Sequence, residues 1–283
     1  MSGARQRRRG SGQARRPRTP VRRRLLGRLP SRGRLAAGLL LAVAAGGFVG
    51  LLNGPWLRVE RVALAGQHYT DARLMEQILR PLHGRSTLGI DSRDVADRLA
   101  VLPAVASVSV ETRLLGEVLV AIEEKEPAFV WLTSAGRMIG AADGRLIGRV
   151  ELDADLPPEL ADLPLIDDKR RNSRTLVVGE QVPAEELRAA LRLLGLDGDT
   201  LGSEASAFGV RVSDEHGLVL VSYQPGWVAA FGLYGVDPAE TPEMVDAHLD
   251  SQVAALRTLF ATVNELNVGW VDVRNPGKVY WRT

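Results

Sequence analysis

Apolar and polar positions recur along this chain with three different periods, and each predicts a different element. The first is no period at all. Residues 35–57 are 23 positions without a charged side chain, closed by Arg34 and Arg58. A helix of that length rises about 34 Å, slightly more than the roughly 30 Å hydrocarbon layer of a bilayer. Trp56 stands where an interfacial aromatic would anchor it. Gly46, Gly47 and Gly50 would weaken a soluble helix but are common in membrane ones, and Gly46 and Gly50 have a spacing that can pair helices. A retained signal anchor is expected, because the run exceeds the 7–15 apolar residues of a cleaved leader. An all-round apolar segment this long is seldom a core helix.

Beyond the span the period falls to two. LRVERVALAG alternates and ends at a turn glycine, Gly66, as a strand would. A helix follows over DARLMEQIL, with Thr70 as its cap and Leu74, Ile78 and Leu79 on one face. Asp91 or Ser92 caps a second helix that buries Val95, Leu99 and Leu102 and ends at Pro103. VASVSVET and EVLVAIEEKEP are two further strands joined by a short turn. The order is β-α-α-β-β. After residue 126 come a hairpin signal at Asp143 and Gly144, an irregular Pro- and Asp-rich stretch, and an amphipathic helix over VPAEELRAALRLLGL. A second hairpin, AFGVRVSDEHGLVLVSY, precedes a long helix with Val245, Leu249, Val253, Leu256, Leu259 and Phe260 as its apolar stripe. VGWVDVR and KVYWR close the chain as strands. The fold class expected is α+β: one transmembrane helix, a small β-α-α-β-β domain, then a mixed α/β domain with an antiparallel sheet.

Charge fixes the orientation of that plan. The formal net charge of +2 conceals 13 arginines and no carboxylate in residues 1–34, against 23 basic and 34 acidic residues in the remainder. By the positive-inside rule the N-terminus is cytoplasmic and the acidic bulk lies outside, a single-pass type II topology. The tail, rich in Arg, Gly, Pro and Ser, is expected to be disordered and to meet anionic lipid; no nucleic-acid partner is expected. Cysteine is absent, which removes disulfides and thiolate sites.

A search for chemistry returns little. His68, His83, His216 and His248 lie far apart, without metal-ligand spacing. No nucleophile elbow, phosphate loop or dinucleotide fingerprint occurs. Asp91, Asp94 and Asp97 read as capping or solvated residues, and Glu123, Glu124 and Glu126 as an exposed polar strand end. Asp272 and Arg274 point to one strand face and read as an ion pair. No catalytic residue, metal, cofactor or small-molecule substrate is expected, so the chain is not read as an enzyme.

The order of these elements resembles a known family. The strand VERVALAG, a cap threonine, two helices and LPAVASVSVETR are similar to a POTRA domain placed directly after a membrane helix. EEKEPAFVW, with Glu124, Lys125 and Pro127, resembles the end of that domain in the FtsQ/DivIB family of cell-division proteins, and VGWVDVRNPGKVYW resembles the family's ending. One departure is the turn before residues 118–122, where the family usually has Pro and this chain has Leu115 and Gly116. The resemblance implies four segments: a tail at 1–34, a membrane helix at 35–57, a POTRA domain at 58–126 and a β-rich domain at 127–283. It implies a non-catalytic scaffold of the divisome at the septum of the cell membrane, linking the cytoplasmic ring to septal wall synthesis. Partners would be short membrane-anchored coiled-coil subunits and wall-synthesis proteins, captured by strand addition. The partner site carries over to Asn275, Gly277, Lys278, Val279, Tyr280 and Trp281, and a recruitment surface to Val59, Val62 and Leu64. The alternative is a POTRA-bearing transport or assembly factor that binds unfolded or envelope clients; the retained span and the lack of a barrel-like run of strands argue against it.

Overall fold

The structure is a computed structural model that describes residues 32–52, 54–113 and 116–283. The arginine-rich tail through residue 31 and the Leu114–Leu115 turn lie outside the described residues. Two compact units divide after Leu52.

In the first unit, helix α1 runs Arg32–Leu52. It starts three residues before the predicted span and stops five short of its end, because Gly54 and Pro55 cannot continue it; Pro55–Leu57 is a single 3-10 turn that carries Trp56. The described side chains of α1 between residues 35 and 50 are all exposed. Those 16 residues rise about 24 Å, and among the described residues no helix is long and apolar enough to cross a membrane.

The second unit opens with β1 (Arg61–Ala65), α2 (Ala72–Leu79), α3 (Ser92–Ala100), β2 (Val105–Arg113) and β3 (Glu117–Glu124). The strands form a sheet in the order β1-β3-β2, with β1 parallel and β2 antiparallel to β3. Both helices lie on one face, where Met75, Leu79, Val95 and Leu99 meet Val118, Val120 and Ile122 in a closed core. The cap of α2 is Asp71, not Thr70: its carboxylate accepts the Arg73 N–H at 2.8 Å. Asp91 caps α3 as expected.

A nine-stranded sheet follows, built from β4 (Pro127–Leu132), β5 (Arg137–Ala141), β6 (Leu146–Val150), β7 (Leu165–Asp168), β8 (Phe208–Ser213), β9 (Gly217–Ser222), β10 (Val228–Gly232), β11 (Trp270–Asp272) and β12 (Tyr280–Arg282). Its order is β12-β11-β10-β9-β8-β7-β4-β5-β6. The expectation of an antiparallel sheet needs correction, since β4–β7, β7–β8 and β10–β11 are parallel. Parallel neighbours need a crossover. Helices α4 (Ala184–Leu194) and α5 (Gly198–Leu201) supply it between β7 and β8, and α6 (Pro242–Thr262) between β10 and β11. Leu187, Leu193, Val245, Leu249 and Leu256 of these helices bury against Val210, Leu220, Phe231 and Val271 of the sheet.

One polar side chain crosses that core. Gln252 of α6 donates to the carbonyls of Phe231 (2.7 Å) and Val273 (3.2 Å) and accepts from the Tyr234 hydroxyl at 2.5 Å. It joins the ends of β10 and β11, and so holds the platform on which β12 rests. Gln252→Leu leaves two buried carbonyls and a hydroxyl unpaired, and should cost about 2–3 kcal/mol, read as a lower urea midpoint with an unchanged slope.

Candidate protein-binding interface

The chain returns to the sheet through a tight turn. The Lys278 N–H donates to the Asn275 carbonyl at 3.1 Å, and Gly277 has φ +71°. Pro at the second position and a positive-φ glycine at the third make this a type II turn. It sends β12 back along β11, with Asp272 opposite Tyr280, Val271 opposite Trp281 and Trp270 opposite Arg282. β12 is the end strand, and no further strand pairs with it among the described residues. Its outer backbone N–H and C=O groups are therefore open to a partner's strand.

The two faces of this edge differ. On one, Tyr280 and Arg282 share a cleft of about 320 Å³ with His216, Trp270 and Asp272. The His216 ring sits 4.5 Å from that of Trp270. Arg274 grips Asp272 at 2.6 Å and donates to the Glu215 carbonyl at 3.3 Å, tying the β8–β9 turn to the edge. This is the expected Asp272–Arg274 pair, and hydrogen bonding from Arg274 holds the Asp272 carboxyl below the usual carboxylate range. On the other face, Trp281 lies on the side of buried Val271. Val279 and Gly277 border a groove of about 450 Å³ along α6, whose wall is Ser251, Ala254, Ala255 and Thr258, while Trp281 also borders the His216 cleft. Tyr280 and Trp281 are 53% and 43% exposed, so neither is absorbed into the core.

The predicted recruitment surface is only partly a surface. Val59, two residues before β1, is 3% exposed and belongs to the core of the first sheet, packed with Met75, Leu79, Val95 and Leu99 of α2 and α3. Val62 is half-buried and Leu64 exposed; they line a groove of about 290 Å³ with Met75, Glu76, Leu79 and His83. Its floor strand, β1, is likewise at a sheet edge.

Sequence reading missed the role of Glu124. Its carboxylate accepts the backbone N–H groups of His68 (2.9 Å), Tyr69 (2.7 Å) and Thr70 (2.8 Å), and the Thr70 hydroxyl as well. The polar strand end is thus a clamp on the loop before α2. Around it Lys125 pairs with Asp143 at 2.6 Å, His68 with Glu159 at 3.2 Å, and Tyr69 and Ala104 pack on Ile139, Ile147 and Leu160. The Glu-Lys-x-Pro sequence therefore joins the three-stranded and nine-stranded sheets. Partial burial raises the Glu124 carboxyl, but the donors from Thr70, Tyr69 and His68 outweigh it and hold the group below its ordinary value. A depressed carboxylate contributes stability above its unfolded pKa of about 4.3 and loses it as pH falls through the folded value. Glu124→Ala should lower stability by about 1–2 kcal/mol at pH 7, and the gap between the variant and the parent should narrow progressively as pH falls below about 4.3 in urea titrations.

Among the described residues no three His, Asp or Glu side chains converge as metal ligands. The family model of the POTRA domain, FtsQ-type, matches residues 57–125. Those residues form an FtsQ-type POTRA domain. The match supports assignment of the chain to the FtsQ/DivIB family, and an FtsQ-type POTRA domain suggests a protein–protein interaction role in cell division. No curated protein matches the chain.

Proposed function

We propose that this protein is a non-catalytic, membrane-anchored scaffold of bacterial cell division that captures other division proteins at the free edge of β12. The observation that carries the reading is the edge itself: an end strand with open backbone and two exposed aromatics, Tyr280 and Trp281, one on each face. Strand addition draws affinity from main-chain hydrogen bonds and selectivity from pockets for alternate side chains, and the cleft and groove flanking β12 are such pockets. Asn275, Gly277 and Lys278 make the turn that presents the strand, and Val279 floors the α6 groove. Val62 and Leu64 offer a second edge on the POTRA domain for recruitment.

The absence of charge from 35 to 57 and the 13 arginines before it support a single span with the N-terminus cytoplasmic, the POTRA domain at 58–126 and the β-rich domain at 127–283 outside. Leu41→Asp should then impair insertion by about 2.5–3.5 kcal/mol, measured as loss of carbonate-resistant membrane fractionation. The functional test is capture of short membrane-anchored coiled-coil division proteins by the full chain beside one truncated before Asn275. Loss on truncation is the expected result. Equal recovery of the same proteins would refute docking at β12, and recovery of unfolded envelope clients would favour a transport factor.

A further inference from the structure

The segment that leads out of α1 and the loop before α3 form one surface. The Val59 N–H donates to the Arg85 carbonyl at 2.8 Å, the Gly84 N–H donates to the Val59 carbonyl at 2.9 Å, and Arg58 bridges to Ser86. Residues 58–59 and 84–86 therefore lie side by side. Because Val59 points into the core, Arg58 points away from it. Arg80, Arg85 and His83 are exposed on the same loop, and the Arg85 guanidinium folds back to the Gly89 carbonyl at 3.4 Å. Two large apolar side chains stand among these cations: Trp56, 56% exposed, and Leu88, 61% exposed. Arg58, Arg80 and Arg85 take part in no ion pair among the described residues.

The charge distribution sets this surface apart. Residues 54–61 and 80–90 hold four arginines and one carboxylate, Glu60, whereas the rest of residues 54–283 holds 19 basic and 33 acidic residues. Two adjoining segments that are rich in arginine and poor in carboxylates, with an indole and a leucine exposed on them, are electrostatically complementary to an anionic lipid surface. In the sequence Trp56 follows Leu52, the last residue of α1, by only four positions. We infer that Trp56, Arg58, Arg80, Arg85 and Leu88 form a docking surface for the anionic headgroups of the membrane outside which the domain sits. The inference rests on the reading of α1 as the anchor and goes beyond it: the POTRA domain is held against the bilayer as well as tethered to it. Lipid composition would then set how freely the β12 edge can sweep for partners.

The chain has no cysteine, so Leu88→Cys gives a single labelling site in the full protein. A fluorophore there, in vesicles of zwitterionic lipid with and without phosphatidylglycerol and with a headgroup-attached quencher, reads contact directly. The expected result is quenching at least threefold stronger with phosphatidylglycerol. It should vanish when ionic strength near 1 M cuts the Debye length to about 3 Å, and in the variant R58Q/R80Q/R85Q. A label at Val101→Cys, at the far end of α3 and about 13 Å further along the helix axis, should show no lipid dependence. Equal quenching in both lipids, or quenching retained in the triple variant, overturns the proposal. Protection of the Leu88→Cys label only in membranes that carry other division proteins would assign the surface to a protein partner and overturn it too. Carbonate extraction separates the two readings. Release of the chain with lipid-dependent quenching intact removes the anchor and leaves the surface, whereas retention with lipid-independent quenching removes the surface and leaves the anchor.

Discussion

Replacing Tyr280 and Trp281 together with Ala should weaken partner capture by about a hundredfold or more, while the unfolding midpoint of the protein stays within experimental error. Aromatic anchors at interfaces are worth roughly 2 kcal/mol or more each, and every 1.4 kcal/mol is about tenfold in affinity. Both rings are about half exposed in the free protein, so their removal opens no cavity. They lie on opposite faces of β12. Single variants should also discriminate. Tyr280→Ala and Trp281→Ala both affect whatever enters the cleft beside His216 and Trp270, whereas Val279→Ala affects whatever enters the groove along α6. The backbone can be tested separately. Successive N–H groups of a strand point to alternate sides, so of Tyr280→Pro and Trp281→Pro one removes a donor from the β11 ladder and the other from the free edge. The first should lower stability. The second should leave stability nearly unchanged and abolish capture. Retained binding in both proline variants, measured by titration of a captured partner, would rule out strand addition at this edge.

How far could this have been read from the letters alone? The β-α-α-β-β segment was legible because its signals are local: period-two strands, Asp91 before an apolar-periodic run, Pro103 after it. The ends of α1 were less so. Absence of charge extends to residue 57, but Gly54 and Pro55 govern the backbone, and backbone geometry stops the helix at Leu52. Sheet direction in the second domain was not legible. Alternation specifies strands but not their partners, and the parallel pairs depend on α4–α5 and α6 returning the chain to the same end of the sheet. For the site, NPGKVYWR carries its own turn chemistry, and the structure sets it at a sheet edge. Val59 falls on the core face because its backbone pairs with Gly84 and Arg85 before β1 begins, outside the alternation that β1 follows. Glu124 escaped notice for another reason. Its partners, His68, Tyr69 and Thr70, are more than fifty residues away in sequence, and a carboxylate at a strand end gives no sign of the three N–H groups it will meet.

The largest effect on stability should come from a residue outside the interface. Asp168, 1% exposed at the end of β7, accepts the Trp131 indole N–H at 2.9 Å and two nitrogens of the Arg170 guanidinium, at 2.7 Å from the terminal one. Arg170 reaches on to Glu186 at 2.9 Å and covers the Trp131 ring at 6.0 Å. Asp168→Ala strands an arginine and an indole N–H beside the core, and breaking a buried pair from one side costs about 3–5 kcal/mol. Glu186 should behave in the opposite way. Burial raises its carboxyl, Arg170 lowers it, and Asp168 raises it further, with a net upward shift. A raised carboxyl favours the folded state most below its unfolded pKa, near 4.3, and that advantage is lost as pH rises toward the folded value. At pH 7, above the unfolded value, the raised carboxyl is therefore a cost. Glu186→Gln keeps an oxygen for Arg170 and removes that cost, so stability at pH 7 should change by less than about 1 kcal/mol or increase. The parent should lose stability relative to this variant between pH 4 and pH 7. Urea titrations of both variants across that range decide the matter. An Asp168→Ala protein as stable as the parent would mean that the network is solvated and contributes little; a Glu186→Gln protein destabilised as much as Asp168→Ala would mean that Glu186, rather than Asp168, is the anion that neutralises Arg170.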